Sequence, residues 1–396
     1  MKNGKIDEGL AALRLKHTMS DGKLDPVAYR IKFNHHHRSG YEWCIYPTYD
    51  YTHCICDSIE DITHSLCTKE FEGRRPSYYW LCNAVDIYCP VQWEYSRLNM
   101  SYTVVSKRKI AKLIDQGIVA DWDDPRLFTL SALRRRGFPA QAIKNFCKKI
   151  GVTEATDTIL EPQMLEACVR DVLNTAATRG MAVLEPLCVE IENFPADKGP
   201  SISVPNIPET VCETEGVAST GDHSMDVCST VYIQRDDFSE DPPKGYKRLT
   251  VGGSVGLMHL GLVLTVKDVV KGAGGEVTKI IGSVAQVEKA NKPKGWIQWV
   301  SSASPSVSPQ VAEVRVYSRL FASPNPESNP GGMLADAMPT SLVVHTGAMV
   351  NNAVKGAKEN EVFQFVRNGY YCVDKDSTPA KPVFNLTIGL KGEDKK

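Results

Sequence analysis

Leu187-Cys188-Val189-Glu190-Ile191-Glu192 alternates apolar and polar side chains one for one. A period of two is the mark of a strand with one face in a core and the other wet. The same alternation returns at Val231/Ile233, Val314/Val316 and Phe363/Phe365, with Gly, Pro and Asn turns between the segments. From about Met181 onward the chain therefore reads as short strands forming one or two antiparallel β-barrels or sandwiches. Upstream, between Val105 and Asn174, the period is helical. Ile110, Leu113 and Ile114 share a face before Gly117. Pro139 opens a helix carrying Ile143, Phe146, Cys147 and Ile150 that Gly151 stops, and Pro162 opens another with Leu165, Cys168, Val169 and Val172 on one face and Asn174 as its cap. From Met1 to about Met100 the texture is mixed: Trp43-Cys44-Ile45-Tyr46 reads as a buried strand, and Ile55, Ile59, Ile62 and Leu66 follow helical spacing. The expected fold class is α/β followed by all-β. Pro195 to Ser229, Ser301 to Gln310 and Ser323 to Gly332 read as loops, the first long enough to be partly disordered.

The chain has 396 residues, 42% of them hydrophobic, which suits two or three folded domains and excludes disorder as the main theme. Its net charge of -1 conceals a regional imbalance. Arg97 to Lys149 holds twelve Lys/Arg against four Asp/Glu, a balance of +8 that leaves -9 elsewhere. A basic middle in an acidic whole points to a polyanion held in one place. MKNGKIDEGL lacks the apolar core of a signal peptide, and Leu257 to Val266 is too short to span a bilayer. A soluble, cytoplasmic protein without membrane partners is expected. Twelve irregularly spaced cysteines read as reduced thiols.

His35-His36-His37-Arg38 ends in Ser39-Gly40 and reads as a polar hairpin rather than a metal site. His53, Cys54, Cys56, His64 and Cys67 include zinc-type ligands, but the Cys54/Cys56 pair is too closely spaced and there is no second knuckle. No metal site is expected. Gly252 to Gly256 and Gly272 to Gly275 read as hairpin turns, since neither opens a helix as a phosphate loop does. Ser106-Lys107-Arg108-Lys109 fits either a solvated helix start or a loop closing over a triphosphate. Arg134-Arg135-Arg136 has the same two readings, and three guanidinium groups that cannot all pair locally favour a phosphate track.

WCIYPTYDYTHC (Trp43 to Cys54), DITHSLCTKEF (Asp61 to Phe71), VVSKRK (Val104 to Lys109), WDDPR (Trp122 to Arg126) and LRRRGF (Leu133 to Phe138) together resemble the class I glutaminyl-tRNA synthetases of eukaryotic type. The resemblance runs from about Asp25 to the C-terminal tail. It implies ATP-dependent activation of glutamine, with Mg2+ accompanying the ATP and no tightly bound cofactor, then transfer to tRNA(Gln). It also implies the domain order: a partial Rossmann-like catalytic domain at 1–102, a helical tRNA-stem-contact domain with a KMSKS-like loop at 103–180, and a tandem β-barrel anticodon region at 181–396 whose distal barrel spans roughly 237–312. Membership of a multi-synthetase complex is compatible with this reading.

Carried over position by position, the resemblance places Tyr49 and Cys67 in the glutamine pocket. Thr68, Arg97, Leu98, Val105, Ser106 and Lys107 fall at the ATP, with Ser106 and Lys107 as the catalytic loop residues. Val104 stands where the family's loop has its first lysine. Glutamate-specific relatives resemble this region but tend to carry arginine at the position of Cys67. A carboxylate substrate buried without that cation costs several kcal/mol, so neutral Cys67 favours the amide. Alongside Arg134, Arg135 and Arg136, the resemblance assigns tRNA contacts to Arg179, Lys247, Arg248, Gln364 and Arg367, where amides and guanidinium groups read unstacked bases. Gly180 stands beside Arg179 where alanine is expected.

The family's His-x-Gly-His motif is absent, and His259-Leu260-Gly261-Leu262 is a false echo in a region expected to form a strand. The expectation is a truncated ligase that binds tRNA but is catalytically incomplete, with an uncovered sheet edge as an aggregation liability. The alternative is a noncatalytic tRNA- or RNA-binding protein derived from the synthetase. A glutamate-specific ligase is the third reading, in which arginine at position 67 would rescue activity with glutamate.

Overall fold

The computed structural model describes residues 1–19, 22, 25–155 and 158–390, and divides into two compact units. Among the described residues no helix is long and apolar enough to cross a membrane.

The first unit comprises residues 1–99 and 150–160. An antiparallel sheet of Ala12–Arg14, Val27–Ile31 and Ile45–Pro47 leads into the helix Tyr49–Ile59. Strand Ser65–Thr68 then pairs in parallel with Gln92–Tyr95 across the connecting helix Arg75–Ala84. A parallel pair needs such a crossover, so this is the α/β element expected. Tyr78, Leu81 and Cys82 of the crossover helix pack on Cys54, Ala28 and Leu15. Two local readings are corrected. Trp43 is exposed and the strand begins at Ile45; the helix stops at Ile59 with Asp61 at φ 52, which puts Leu66 on a strand facing solvent.

The second unit comprises residues 100–149 and 161–396. Helices Lys107–Asp115, Ala140–Ile150 and Pro162–Ala176 appear where the apolar periodicity placed them, and Leu130–Arg136 is a further helix. Asn174 is not the cap, because the last helix continues to Ala176. The helical stretch clusters with the barrels rather than standing apart from them. Val104, Ile110, Leu113, Val119 and Leu127 share one core with Leu320 and Phe321, so apolar side chains about 200 residues distant in sequence complete that face.

Two seven-stranded sheets follow, each nearly closed by a segment that changes partner midway. In one, Thr178–Gly180 and Ala182–Val183 form the opposite edges of a sheet completed by the five strands from Gln310 to Ile388. In the other, Trp296–Ile297 and Trp299–Ser301 form the two edges. The switches lie at Met181 and Gln298, and Trp299 N donates to Met181 Sδ at 3.5 Å. The second barrel is an insertion in the first, since the chain leaves after Val183 and returns at Gln310. Its strands begin at Pro186, because Pro186–Ile191 and Thr230–Gln234 belong to the same sheet, so it extends well before the 237–312 span expected.

Pro195 to Ser229 departs most from expectation. It holds a hairpin of Ser201–Pro205 with Asp222–Asp226 and a short helix, Glu209–Glu215; Val204 and Met225 reach the barrel core. Gly272 to Gly275 is a hairpin turn as read, Gly272 N donating to Glu276 O at 2.9 Å, whereas Gly252–Gly253 is a turn between strands that do not pair with each other and Gly256 lies in the strand Ser254–Leu257. His259 and Gly261 are also a turn, with φ of 65 and 66, and not a strand. His36 and Gly40 exchange backbone hydrogen bonds in the hairpin read from the sequence.

Candidate functional site

In the first unit the side chains at 49, 53 and 57 follow one another at four-residue intervals along the helix Tyr49–Ile59, which stacks them on one face. Tyr49 Oη lies 3.2 Å from His53 Nδ1, and His53 Nε2 lies 3.2 Å from Asp57 Oδ2. Strand alternation turns Ser65 and Cys67 inward while Leu66 faces out. Cys67 Sγ thereby comes within 2.8 Å of Tyr49 Oη, and Ser65 Oγ donates to Asp57 and receives the Tyr78 hydroxyl at 3.2 Å. Burial, then the bond to Cys67, pushes the Tyr49 phenol up, so it stays neutral. Tyr49, His53, Tyr78, Ser77 and Gln92 line one small cavity, whose rim Arg74 is paired with Asp50 at 3.4 Å.

The structure thus brings Tyr49 and Cys67 into contact. It adds three residues that the sequence did not assign to this pocket. His53, legible in the sequence only as a zinc-type ligand, hydrogen-bonds Tyr49; Asp57 holds His53; and Gln92 is buried with Oε1 lacking a partner. The four-residue spacing of Tyr49, His53 and Asp57 was a readable signal for the first two. For Gln92 the sequence offered none. Among the described residues no group of three or more His, Cys, Asp or Glu is placed to hold a metal ion.

Thr68 ends the strand that carries Cys67, Leu98 is exposed, and Arg97 is paired with Glu70 beside a groove shared with Lys69, Ser96 and Asn99. In the second unit Ser106 precedes the helix Lys107–Asp115 in extended conformation, and its carbonyl accepts from the N–H groups of Lys109 and Ile110 at 3.0 Å. Val105, Lys107 and Arg108 are exposed, whereas Lys109 is paired with Glu327. Val104 is buried in the helical core, which explains an apolar residue there: an ammonium in that place would be desolvated without a partner.

The three consecutive arginines diverge. Thr129 caps their helix, accepting from Ala132 N at 3.1 Å, and Gly137 ends it in the left-handed region. Arg134 is exposed. Arg135 is turned inward, donating through Nε to Asp374 at 2.9 Å and pairing with Asp123 at 3.1 Å and Asp376 at 3.2 Å. Arg136 donates to the Thr387 carbonyl at 3.1 Å and lies over the Phe138 ring. Arg135 pairs with Asp123, 12 residues away, and with Asp374 and Asp376, 239 and 241 residues away, so the argument for a continuous phosphate track fails at this position.

The remaining basic positions gather into two groups. Arg179 and Gln364 are directly opposite on neighbouring parallel strands. Arg179 is buried, donating to the carbonyls of Ala177 and Asn174, with no carboxylate among those partners, and burial lowers its pKa. Gln364 Oε1 is buried and unpaired. A Cβ at Gly180 would stand 3.1 Å from Ala353 Cβ and 3.2 Å from Asn351 Oδ1, so the small residue suits this crowded crossing. In the second group Arg248 and Arg367 share the buried carboxylate of Asp237. Lys247 is exposed next to them, in a groove lined also by Lys292 and Lys294.

Comparison with known proteins gives this arrangement its family. Residues 1–175 match the model described as tRNA synthetases class I (E and Q), catalytic domain, and residues 177–285 and 296–374 match the two models of the anti-codon binding domain of the same group. The glutamine–tRNA ligase of Pseudoalteromonas atlantica is 44% identical, with 99% of this chain and 70% of that protein covered. The chain belongs to the class I tRNA synthetases of the E and Q group. Class I synthetases use ATP, and their anticodon-binding domains take tRNA as partner. The glutamine–tRNA ligase of Bos taurus is 56% identical over 394 residues, covering 99% of this chain and 49% of that protein. A probable glutamine–tRNA ligase of Drosophila melanogaster is 55% identical over 395 residues, again with 49% of it covered. The chain spans about half the length of these two relatives.

Proposed function

We propose that this chain is part of a glutamine–tRNA ligase, and that its barrels and helices bind tRNA(Gln) while its first unit carries the glutamine pocket. The observation that carries the glutamine reading is the set of hydrogen-bonding groups around Tyr49 Oη, Cys67 Sγ at 2.8 Å and His53 Nδ1 at 3.2 Å. A carboxamide offers both a donor and an acceptor to such groups, while a carboxylate would enter without a free counter-charge, because Arg74 on the rim is already paired with Asp50. Gln92, with its buried unpaired carbonyl oxygen, supplies an acceptor for a substrate NH2.

In the proposed reaction the glutamine carboxylate attacks the α-phosphate of Mg-ATP, with the metal ion arriving as part of the substrate. Lys107, exposed at the start of its helix, offsets the charge that builds on the leaving pyrophosphate. Thr68, Arg97, Leu98, Val105 and Ser106 are the positions proposed for the remaining ATP contacts. Arg134, Arg136, Arg179, Lys247, Arg248, Gln364 and Arg367 are those proposed for tRNA. Cytoplasmic location and a place in a multi-synthetase complex accord with this reading.

Two measurements on the 396-residue chain test it. Binding of a tRNA(Gln) transcript should weaken steeply with salt as phosphate counter-ions are released. Pyrophosphate exchange with glutamine and ATP should be undetectable, because the sequence holds no His-x-Gly-His to position the triphosphate. Salt-independent binding would refute the first part, and robust exchange the second.

A further inference from the structure

Asp237 ends a short 3-10 turn in the inserted barrel, and its side chain has no solvent exposure. Its Oδ1 accepts from Arg367 Nη2 at 2.8 Å and lies 2.8 Å from Arg248 Nη1, while Oδ2 accepts from Arg367 Nη1 at 2.7 Å. Arg367 comes from the other barrel, in the turn between Val362–Phe365 and Gly369–Val373, where its φ is 67. It also donates to Gln298, the residue at which the closing segment of the inserted barrel changes partner. Gln298 in turn meets Asn368 at 3.4 Å, and Asn368 donates to the Ala182 carbonyl in the closing segment of the first barrel. One carboxylate is thus tied to both barrel closures.

The charge count is unequal. A single anion holds two guanidinium groups, leaving one positive charge in excess. Arg248 keeps 45% of its side chain exposed and Arg367 keeps 25%. The adjoining groove is lined by Lys247, Arg248, Lys292 and Lys294 and by no carboxylate. A clasp needed only to join the barrels would be satisfied by one bidentate arginine. A second arginine on the same carboxylate, half in solvent at the mouth of a basic groove, is poised for an outside anion or base edge.

We propose that Asp237 is a positioning residue that locks Arg248 and Arg367 into a fixed pair for reading an unpaired RNA loop, and so sets which anticodon the barrels accept. This rests on the tRNA-binding reading above and goes beyond it in assigning the discrimination to a buried acid that itself touches no RNA. Guanidinium groups held in one orientation lose little freedom on binding, and a misplaced base leaves them unpaired.

The test compares the full chain with Asp237→Asn. Dissociation constants are measured for a tRNA(Gln) transcript and for the same transcript with its three anticodon nucleotides replaced, at one salt concentration and below the melting midpoint of both proteins. The unaltered chain should prefer the natural anticodon, and Asp237→Asn should reduce that preference roughly tenfold while binding of the replaced transcript changes little. If the unaltered chain shows no preference, the anticodon-binding reading fails. If it does and folded Asp237→Asn shows the same one, only the positioning role is overturned. Should Asp237→Asn not fold, Arg248→Ala, Arg367→Ala and the double variant decide. Unchanged preference in both singles overturns the proposal, as does full additivity in the double; losses that fail to add support a unit held by one carboxylate.

Discussion

Replacing Arg135 by methionine should destabilise the second unit and leave tRNA binding nearly untouched, the reverse of what its place in a run of three arginines suggests. Asp374, its main partner, has no solvent exposure. Burial raises its pKa, but the bonds from Arg135, the Asp376 N–H and Asn385, with the charge on Arg135, overcome this and hold it at about 2 against an ordinary 3.8. That difference corresponds to about 2 kcal/mol of native-state stabilisation. Removing one partner of a buried pair typically costs about 3–5 kcal/mol. Arg315 remains 3.4 Å from Asp374 and Asn385 still donates, so the lower end, about 3 kcal/mol, is expected for Arg135→Met. The pH dependence follows from the lowered pKa. The contribution is complete above about pH 4 and is lost as pH falls toward about 2, so the acid limb of stability should be shallower in the variant than in the parent. Urea unfolding monitored by tryptophan fluorescence at about pH 7 and near pH 3 measures both effects. Arg134→Ala is the counterpart: exposed, it should leave the urea midpoint within about 0.5 kcal/mol while lowering the salt slope of tRNA binding by about 0.7–0.9 for each phosphate it neutralises. An Arg135→Met protein with an unshifted midpoint and a reduced salt slope would refute this assignment.

Two further outcomes follow from local geometry. Gly137→Ala should cost about 3 kcal/mol or more in thermal or urea unfolding, since φ is +94 and a Cβ would fall 2.5 Å from Cys372 Cβ and 2.6 Å from Thr387 Oγ1; a loss below about 1 kcal/mol would show that the helix end relaxes freely. Tyr49→Phe removes a hydroxyl shared by Cys67 and His53 on a side chain 42% exposed, so its melting midpoint should move by no more than about 1 kcal/mol equivalent, while stabilisation by saturating glutamine in a melting assay is abolished; equal stabilisation of both proteins would remove Tyr49 from the pocket.

Elements whose apolar pattern is set by their own neighbours were legible. The helices opened by Pro139 and Pro162, and the strands at Leu187 and Phe363, appear where a period of 3.6 or 2 placed them. Failures came where a local chain break or distant residues decide. Ile59, Ile62 and Leu66 continue a helical spacing by coincidence, and Asp61 with φ 52 breaks the chain between them. The polar composition of Pro195 to Ser229 hid a hairpin whose few buried positions, Val204 and Met225, find their partners in the barrel. The resemblance named Tyr49 and Cys67, which the structure brings into contact, and did not name Gln92, whose only distinguishing property is an orphaned buried oxygen.

Arg135 and Arg248 show why charge runs mislead in both directions. Sequence places each in a basic stretch, and the balance of +8 from Arg97 to Lys149 treats every cation there as available. The structure withdraws Arg135 by Asp123 of the same stretch and by Asp374 and Asp376 brought from the C-terminal part of the chain. Arg248 it holds differently, through an acid that another arginine already occupies, leaving its side chain half in solvent. The two arginines differ in the balance at their guanidinium groups: at Arg135 the carboxylates of Asp123, Asp374 and Asp376 are matched by Arg135, Lys375 and Arg315, whereas at Asp237 one buried carboxylate meets two guanidinium groups. Asp123 and Asp237 are each near in sequence to one of their arginines, but Asp374, Asp376 and Arg367 arrive from distant segments, so only the folded chain reveals the balance.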